Sequence, residues 1–330
     1  YRGLRGTIVE VLGDPRSAKL DFDTVIRRYG IPQTFSEAAL TDSMADPNFE
    51  REIGRRRDLR ATPCVTIDPE RARDHDDAVS VQRVEAGGYR LLVHIADVSH
   101  YVAEGSTLDR EAYERGTSTY LIDRVVHMLP EALASQQCSL MPEEDRLALT
   151  ADIVLDDNGQ YVRSELYESV VRSAGRLTYG EVQAVLDGGG NGAALSWKDQ
   201  LVCLAELSSL RQRIRSRRGS LDLDLPEAQI ELDDGGEPQT IGPYPRYPSH
   251  RIIEECMLLA NECVGHFCSR NKLPVLYRVH MPPTGSKLEP VYELLGPRRS
   301  LASRRDQSLT PRDFQNMLEQ ARQQIGRAHV

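Results

Sequence analysis

The sequence predicts an α+β fold, in which a mixed or antiparallel β-sheet is flanked by helices. Segments rich in Val, Ile and Tyr alternate apolar with polar residues between 62 and 102, as strands with one buried face do. A second alternating stretch, 147–173, contains Asp157-Asn158-Gly159 and predicts a hairpin. A strand-like segment also covers 220–236, and helical stretches lie between these regions. No internal repeat is visible, so we expect one α+β unit.

The first 60 residues predict a β remnant followed by a helical connector. Residues 1–14 alternate around Thr7–Leu12 and end in a Gly-Asp turn, so they predict one strand of a small β-barrel. No complete barrel fits before that strand, which makes it a remnant. Residues 15–60 contain a short helical period that ends at Gly30-Ile31-Pro32 and then a charged helical stretch.

Capping residues mark the later helices. Ser106 and Gly116 bracket one predicted helix, and Thr178 begins another that ends in glycines. Two longer amphipathic helices are predicted over 197–219 and 249–271. The apolar stripe predicted for the last helix comprises Ile253, Cys256, Ala260, Val264 and Phe267.

Composition predicts a cytoplasmic protein without a membrane partner. The net charge is −9, and no apolar run reaches the length of about 18 residues that a transmembrane helix needs. The six cysteines form no CxxC pair, which favours reduced, buried thiols over a zinc site. Only four of the 41 basic residues are lysines. This arginine excess reflects either bidentate phosphate contacts or GC-rich codon usage.

The segment 66–79, TIDPERARDHDDAV, gathers four aspartates between two predicted strands. Like charges this close repel one another unless a cation lies among them. Hard divalent cations prefer carboxylate oxygens, and four carboxylates can hold two ions about 3.5–4 Å apart for phosphodiester chemistry. An EF-hand does not fit, because its glycine would fall on Val79 in a strand. A solvated acidic loop is the alternative to a divalent metal site at Asp68, Asp74, Asp76 and Asp77.

Six segments that occur in order over roughly 62–283 carry a family resemblance. They are TIDPERARDHDDAV, HIADVSHYV, RGTSTYLIDRVVHMLPEALASQQCSL, RGSLDLDLPEAQI, HRIIEECMLLAN and LYRVHMPP. Together they closely resemble the catalytic RNB domain of the ribonuclease II / ribonuclease R family, and the third segment brings the match closer to ribonuclease R. The resemblance implies a partial RNB-like domain over 61–324. It also implies that 1–14 is the last strand of a cold-shock (OB) domain.

The resemblance implies a 3′→5′ exoribonuclease that hydrolyses single-stranded RNA to nucleoside 5′-monophosphates. It needs Mg²⁺, with two ions expected and Mn²⁺ as the alternative. Tyr120 matches an aromatic that stacks on a base at the 3′ end, and Leu223 lies about where some members place a second one. Glu254 and Glu255 match an acidic pair that contacts terminal nucleotides, and we favour Glu254, which shares a helix face with Asn261. The metal-binding and catalytic aspartates match Asp68, Asp74, Asp76 and Asp77.

Several of these residues also have structural explanations. Tyr120 would otherwise be a core tyrosine at a strand end, and Glu254 with Glu255 a solvated helix face. His75 stands where the family usually has an apolar residue, so it either adds a ligand or is a partly exposed ring.

The end of the sequence also departs from the family pattern. An arginine-bearing segment that aids phosphate cleavage and a basic S1 domain are expected after Val330. We therefore expect a monomeric fragment that binds metal with weak or no turnover. Residues 325–330 can be encoded by a sequencing adapter and are predicted to be non-native. The alternative functions are a non-catalytic RNA-binding or regulatory relative, or a structural metal-binding domain.

Overall fold

The computed structural model describes residues 6–13, 18–44, 48–190, 192–221, 225, 227–279, 281, 283–295 and 309–325. Its strands are β1 (Arg57–Asp58), β2 (Val65–Asp68), β3 (Asp77–Arg83), β4 (Tyr89–Ala96), β5 (Thr119–Tyr120), β6 (Val125–Val126), β7 (Asp145–Leu155), β8 (Tyr161–Arg172), β9 (Gly175–Thr178), β10 (Ala228–Leu232) and β11 (Pro238–Pro243). Its α-helices are α1 (Ala18–Tyr29), α2 (Glu37–Met44), α3 (Phe49–Arg55), α4 (Val98–Tyr101), α5 (Thr107–Arg115), α6 (Tyr179–Leu186), α7 (Lys198–Arg218), α8 (Pro248–Arg270), α9 (Gly285–Leu295) and α10 (Pro311–Ile325).

Seven strands form one mixed sheet in the order β1-β8-β7-β4-β3-β2-β9. The central pairs are antiparallel, whereas β1 runs parallel to β8 and β2 parallel to β9. The predicted hairpin is β7–β8. Its turn depends on Gly159, which has a φ of 74°, and on the Asp156 carboxylate, which accepts hydrogen bonds from the backbone of Asn158 and Gln160. The predicted α+β class with a mixed sheet flanked by helices is confirmed.

One face of the sheet is covered by α6, α7 and α8. Leu201, Leu204 and Leu207 of α7 are buried against strand residues such as Val79 and Val93. Their spacing of three residues places them on one helix face, and removal of this apolar surface from water is the main favourable contribution to packing.

The apolar stripe predicted for α8 is only partly correct. Val264 and Phe267 are 44% and 46% exposed, respectively. The buried face instead continues toward the C-terminus of the helix through Cys263 and Cys268. The buried apolar residues of α8 are Ile252, Ile253, Cys256, Leu259, Ala260, Cys263 and Cys268.

The opposite face of the sheet packs against α2, α5 and a π-helical turn at Ala132–Gln137. The Ser106 hydroxyl accepts a hydrogen bond from the Asp109 N–H at the start of α5, and Gly116 ends this helix in the left-handed region, as predicted. The predicted Thr178 cap also forms, as a reciprocal capping box with Glu181 at the start of α6.

The strand predicted over 1–14 is not present in its described part, 6–13, which is irregular. Ile8, Val9 and Val11 are 83%, 95% and 80% exposed. Alternation alone does not make a strand, because an extended segment needs a hydrogen-bonded neighbour and a surface that buries its apolar face. Helices α1, α2 and α3 occupy the predicted connector, but its end at 57–58 joins the sheet as β1.

Among the described helices, none is both long and apolar enough to cross a membrane. The boundaries proposed for a remnant domain, a connector, a catalytic domain and a non-native tail remain predictions, and residues 326–330 lie outside the described part of the chain.

Candidate functional site

The aspartate cluster lies where two neighbouring strands meet a loop. Asp68 is the last residue of β2, and Asp77 is the first residue of β3. The loop between them is held at its base by Arg176 of β9, whose guanidinium donates to the backbone carbonyls of Glu70 at 2.9 Å and Ala72 at 3.0 Å. Asp68, Asp74 and Asp76 thereby line the same cleft.

Burial and mutual repulsion act on the carboxylates at the end of this loop. The pKa of Asp77 is raised to about 7, first by burial and then by the charges of Asp68 and Asp76, with a smaller opposing effect of His75. Asp76 is an exposed residue, yet desolvation by the surrounding protein also raises its pKa, followed by the charges of Asp74 and Asp68. All four aspartates are therefore electrostatic neighbours.

His75 is fully inside the protein, with 1% of its side chain exposed. Its Nδ1 lies 2.7 Å from Oδ2 of Asp68. The expectation of a partly exposed ring is therefore wrong, because the backbone turns His75 toward the core. The sequence showed the unusual residue but could not show its partner.

The donor set suits a hard divalent cation, because the four aspartates offer only carboxylate oxygens. In the part of the chain that the structure describes, no three Asp, Glu, His or Cys side chains converge closely enough to hold a metal ion. The carboxylates therefore lie on one loop and on the two strand ends that flank it, without forming a closed coordination sphere. Carboxylates at this spacing repel one another, and a bound cation would relieve that repulsion.

Tyr120 shares a cleft of about 710 Å³ with Asp68, Asp74 and Asp76. It lies in the short β5–β6 hairpin, and it is 68% exposed, so the core-tyrosine alternative is wrong. Its phenol pKa is raised by partial burial and then by the charges of Asp74 and Asp76. The structure thus brings the predicted stacking residue to the aspartates. The sequence reasoning missed the arginines that line the same cleft, namely Arg71, Arg73 and Arg124.

Glu254 and Glu255 lie in a second cleft, of about 520 Å³, between α7 and α8. Glu254 is 42% exposed at its side chain, whereas Glu255 is 4% exposed and pairs with Arg215 of α7. Burial raises the pKa of Glu255, and the charge of Arg215 opposes this shift. The pair is thus not a simply solvated helix face. The cleft is also lined by four arginines that sequence reasoning did not connect with the glutamates, Arg213, Arg215, Arg246 and Arg251.

The two clefts have no lining residue in common, so the structure does not place all of the predicted site residues in one cavity. They are linked through α8, because Cys256 follows Glu255 and also lies near Asp77. Burial raises the pKa of the Cys256 thiol, and the charge of Asp77 raises it further. Leu223, the predicted position of a second stacking side chain, lies outside the described residues.

Comparison with known families and proteins places the chain in a specific context. The family model described as RNB domain matches residues 56–328. Ribonuclease R of Aquifex aeolicus is 44% identical over 322 residues, and ribonuclease R of Thermotoga maritima is 37% identical over 332 residues. These alignments cover 96% and 98% of this chain but 45% and 46% of the relatives. The chain thus spans about half the length of the curated relatives it matches.

The fold also matches a solved structure closely. Mycoplasma genitalium RNase R in complex with ribose methylated single-stranded RNA superimposes with a TM-score of 0.85 at 29% identity. The match covers 95% of this chain and 49% of that protein. The same enzyme has also been solved in complex with double-stranded RNA, with a TM-score of 0.84 to this chain.

Proposed function

Since the chain belongs to the RNB-domain family, we propose that it carries the catalytic site of a 3′→5′ exoribonuclease. The substrate is single-stranded RNA, and the products are nucleoside 5′-monophosphates. The observation that carries this proposal is the shared cleft of Tyr120 with Asp68, Asp74 and Asp76, in which an exposed aromatic ring stands beside grouped carboxylates. A hydrolytic centre and a base-stacking ring are the two parts that such a reaction needs.

The aspartates are the proposed metal-binding and catalytic groups. Two Mg²⁺ ions, or Mn²⁺ in their place, would be held by Asp68, Asp74, Asp76 and Asp77. Such ions activate water and offset the charge that develops on the phosphate. One of the aspartate carboxylates accepts a proton from the attacking water as general base. Burial, and after it the charges of neighbouring aspartates, raise the pKa values of Asp76 and Asp77. The charge contribution supports this assignment, because it reflects negative groups that lie close together.

Residues of both clefts would bind the RNA. The ring of Tyr120 would stack on a base near the 3′ end, a contact that tolerates any sequence because every base has a π-face. Glu254 would accept a hydrogen bond from a terminal nucleotide, since its carboxylate is accessible and that of Glu255 is not. The arginines of both clefts would contact phosphates, which offsets the repulsion expected from a chain with a net charge of −9.

We propose a cytoplasmic, monomeric enzyme that acts on RNA without a membrane partner. All six cysteines are free thiols, and five of them are buried, which suits a reducing compartment.

The test is degradation of a 5′-labelled single-stranded RNA in Mg²⁺, with Asp76→Asn and a metal-free reaction as negative controls. Asp234→Asn, in the exposed turn between β10 and β11, is the matched control for the loss of one carboxylate elsewhere. A ladder that shortens from the 3′ end, with Asp234→Asn active and Asp76→Asn silent, supports the proposal.

The assay is repeated on the chain extended by the C-terminal region of the Aquifex aeolicus relative. Activity only in the extended chain would show that the site needs groups from that region. An extended chain that binds RNA but never cleaves it would contradict the catalytic assignment and favour a non-catalytic RNA-binding relative.

A further inference from the structure

The imidazole of His75 and the carboxylate of Asp68 form a buried contact within the aspartate cluster. Nδ1 of His75 lies 2.7 Å from Oδ2 of Asp68, and the two side chains are 1% and 12% exposed. We propose that His75 is a positioning residue, which orients Asp68 for a divalent cation and is not itself a ligand. This inference rests on the proposed function, because it assigns a supporting role within the metal site proposed there.

The backbone around His75 gives the ring little freedom to move. Its N–H donates to the hydroxyl of Ser139 at 3.0 Å, and its carbonyl accepts from the N–H of Leu140 at 2.8 Å. Ser139 and Leu140 are themselves fully buried and follow the π-helical turn. Two consecutive residues from a distant part of the chain therefore bind both backbone polar groups of His75. These bonds fix the backbone from which the imidazole projects.

The contact leaves one oxygen of Asp68 available. An ionised carboxylate can only accept a hydrogen bond, so Nδ1–H of His75 is the donor to Asp68. The hydrogen bond engages Oδ2 and holds the plane of the carboxylate, which leaves Oδ1 of Asp68 for a cation. A ring that is 1% exposed and already bonded to Asp68 cannot also present Nδ1 to the cleft.

Positioning of this kind has a measurable effect on metal affinity. Hydrogen-bond partners of ligating carboxylates reduce the reorganisation needed on binding, and their removal typically costs 10- to 100-fold in affinity. The role differs from simple core packing, because an apolar ring of similar size restores packing and does not restore the donor.

The experiment is titration of the metal-free protein with Mn²⁺ by isothermal calorimetry. His75→Phe keeps a buried ring and removes the donor, so we expect roughly 10- to 100-fold weaker binding. His75→Asn places an amide N–H near the original Nδ1 and is expected to bind within about threefold of the unmodified protein. His266→Phe, the same change at an exposed position of α8, should leave binding unchanged.

A polar pair of variants keeps the proposal falsifiable if the Phe variant does not fold. His75→Gln moves the amide one methylene farther than His75→Asn, so it should bind like the Phe variant. Equal Mn²⁺ affinity of the Asn and Gln variants, or of a folded Phe variant and the unmodified protein, would overturn the positioning role. An unmodified protein that takes up no Mn²⁺ would instead overturn the metal site of the proposed function, and this inference with it.

Discussion

Arg215 on α7 and Glu255 on α8 form an ion pair, with Nη1 of the arginine 2.5 Å from Oε1 of the glutamate. The same guanidinium lies 3.4 Å from the carboxylate of Glu254. A single arginine therefore joins the two helices and contacts both glutamates. Glu255 is buried against it, whereas Glu254 remains accessible.

Replacement of Arg215 by Met should destabilise the fold. It would leave the buried carboxylate of Glu255 without its cation, and loss of one partner of a buried pair costs about 3 kcal/mol. The double variant Arg215→Met/Glu255→Leu should recover most of this loss, because no buried charge remains. Urea-induced unfolding measures the change, with Arg213→Met as an exposed control on the same helix. A stability of Arg215→Met equal to that of Arg213→Met would mean that the pair contributes nothing.

Glu254→Gln should weaken RNA binding without a change in stability. Its side chain is 42% exposed, and a hydrogen bond to a charged group contributes about 1.5–3 kcal/mol. We therefore expect binding of a short single-stranded RNA, measured by fluorescence anisotropy, to be weaker by roughly 10-fold or more. The urea midpoint should be unchanged. Glu114→Gln, an exposed change on α5, is the matched control. Equal RNA affinity of these two variants would remove Glu254 from the binding surface.

Tyr120→Ala should lose a base-stacking contact. Stacking of a base on an aromatic side chain contributes about 1–3 kcal/mol, which corresponds to roughly 5- to 150-fold in affinity. Tyr120→Phe keeps the ring and should bind nearly as the unmodified protein does. The comparison uses the same anisotropy assay, with Tyr113→Ala as control because that tyrosine is 86% exposed on α5. If the Ala and Phe variants bind alike, the ring does not stack on RNA.

His94 should make stability depend on pH in a defined window. Burial lowers the pKa of this β4 histidine from 6.5 to about 4, and its Nδ1 lies 2.8 Å from Oγ1 of Thr150. Between pH 4 and 6.5 the unfolded chain therefore binds a proton at His94 that the folded chain does not. The contribution of neutral, buried His94 to stability is fully present above pH 6.5 and is lost as the pH falls toward 4. At about 1.4 kcal/mol per pH unit, the window amounts to about 3 kcal/mol.

The pH effect of His94 is isolated by difference. The free energy of unfolding is measured in urea from pH 4 to 7 for the unmodified protein and for His94→Gln, which does not titrate there. The difference between the two curves should grow steadily with pH across the window. Parallel curves would mean that His94 is not responsible for the acid sensitivity.

The secondary structure could be predicted where the signal is local. The caps at Ser106 and Thr178 bind backbone groups three residues away, so the residues that decide the helix start are adjacent in the sequence. The hairpin turn at Gly159 is equally local. The strand expected within 1–14 was wrong for its described part, because a strand is stabilised by a partner that alternation does not supply.

The sequence could name candidate site residues, but it could not predict how they are arranged in space. Aspartate spacing and the ordered motifs pointed to the candidate carboxylates and to Tyr120, and the fold brings Asp68, Asp74, Asp76 and Tyr120 together in one cleft. The separate cleft of Glu254 could not be read from the same motifs, because its other wall is an α7 arginine about 40 positions earlier in the chain.

The sequence by itself therefore determined the α+β class, the capped helices and a carboxylate-rich loop, since each depends on neighbours in the chain. Only the tertiary structure decided which face of each element is buried. It turned His75 inward onto Asp68, fixed it to Ser139 across 64 positions, and buried Glu255 while leaving Glu254 accessible. The physical reason is that burial and charge pairing depend on groups far apart in sequence, which meet only when the sheet and its covering helices pack together.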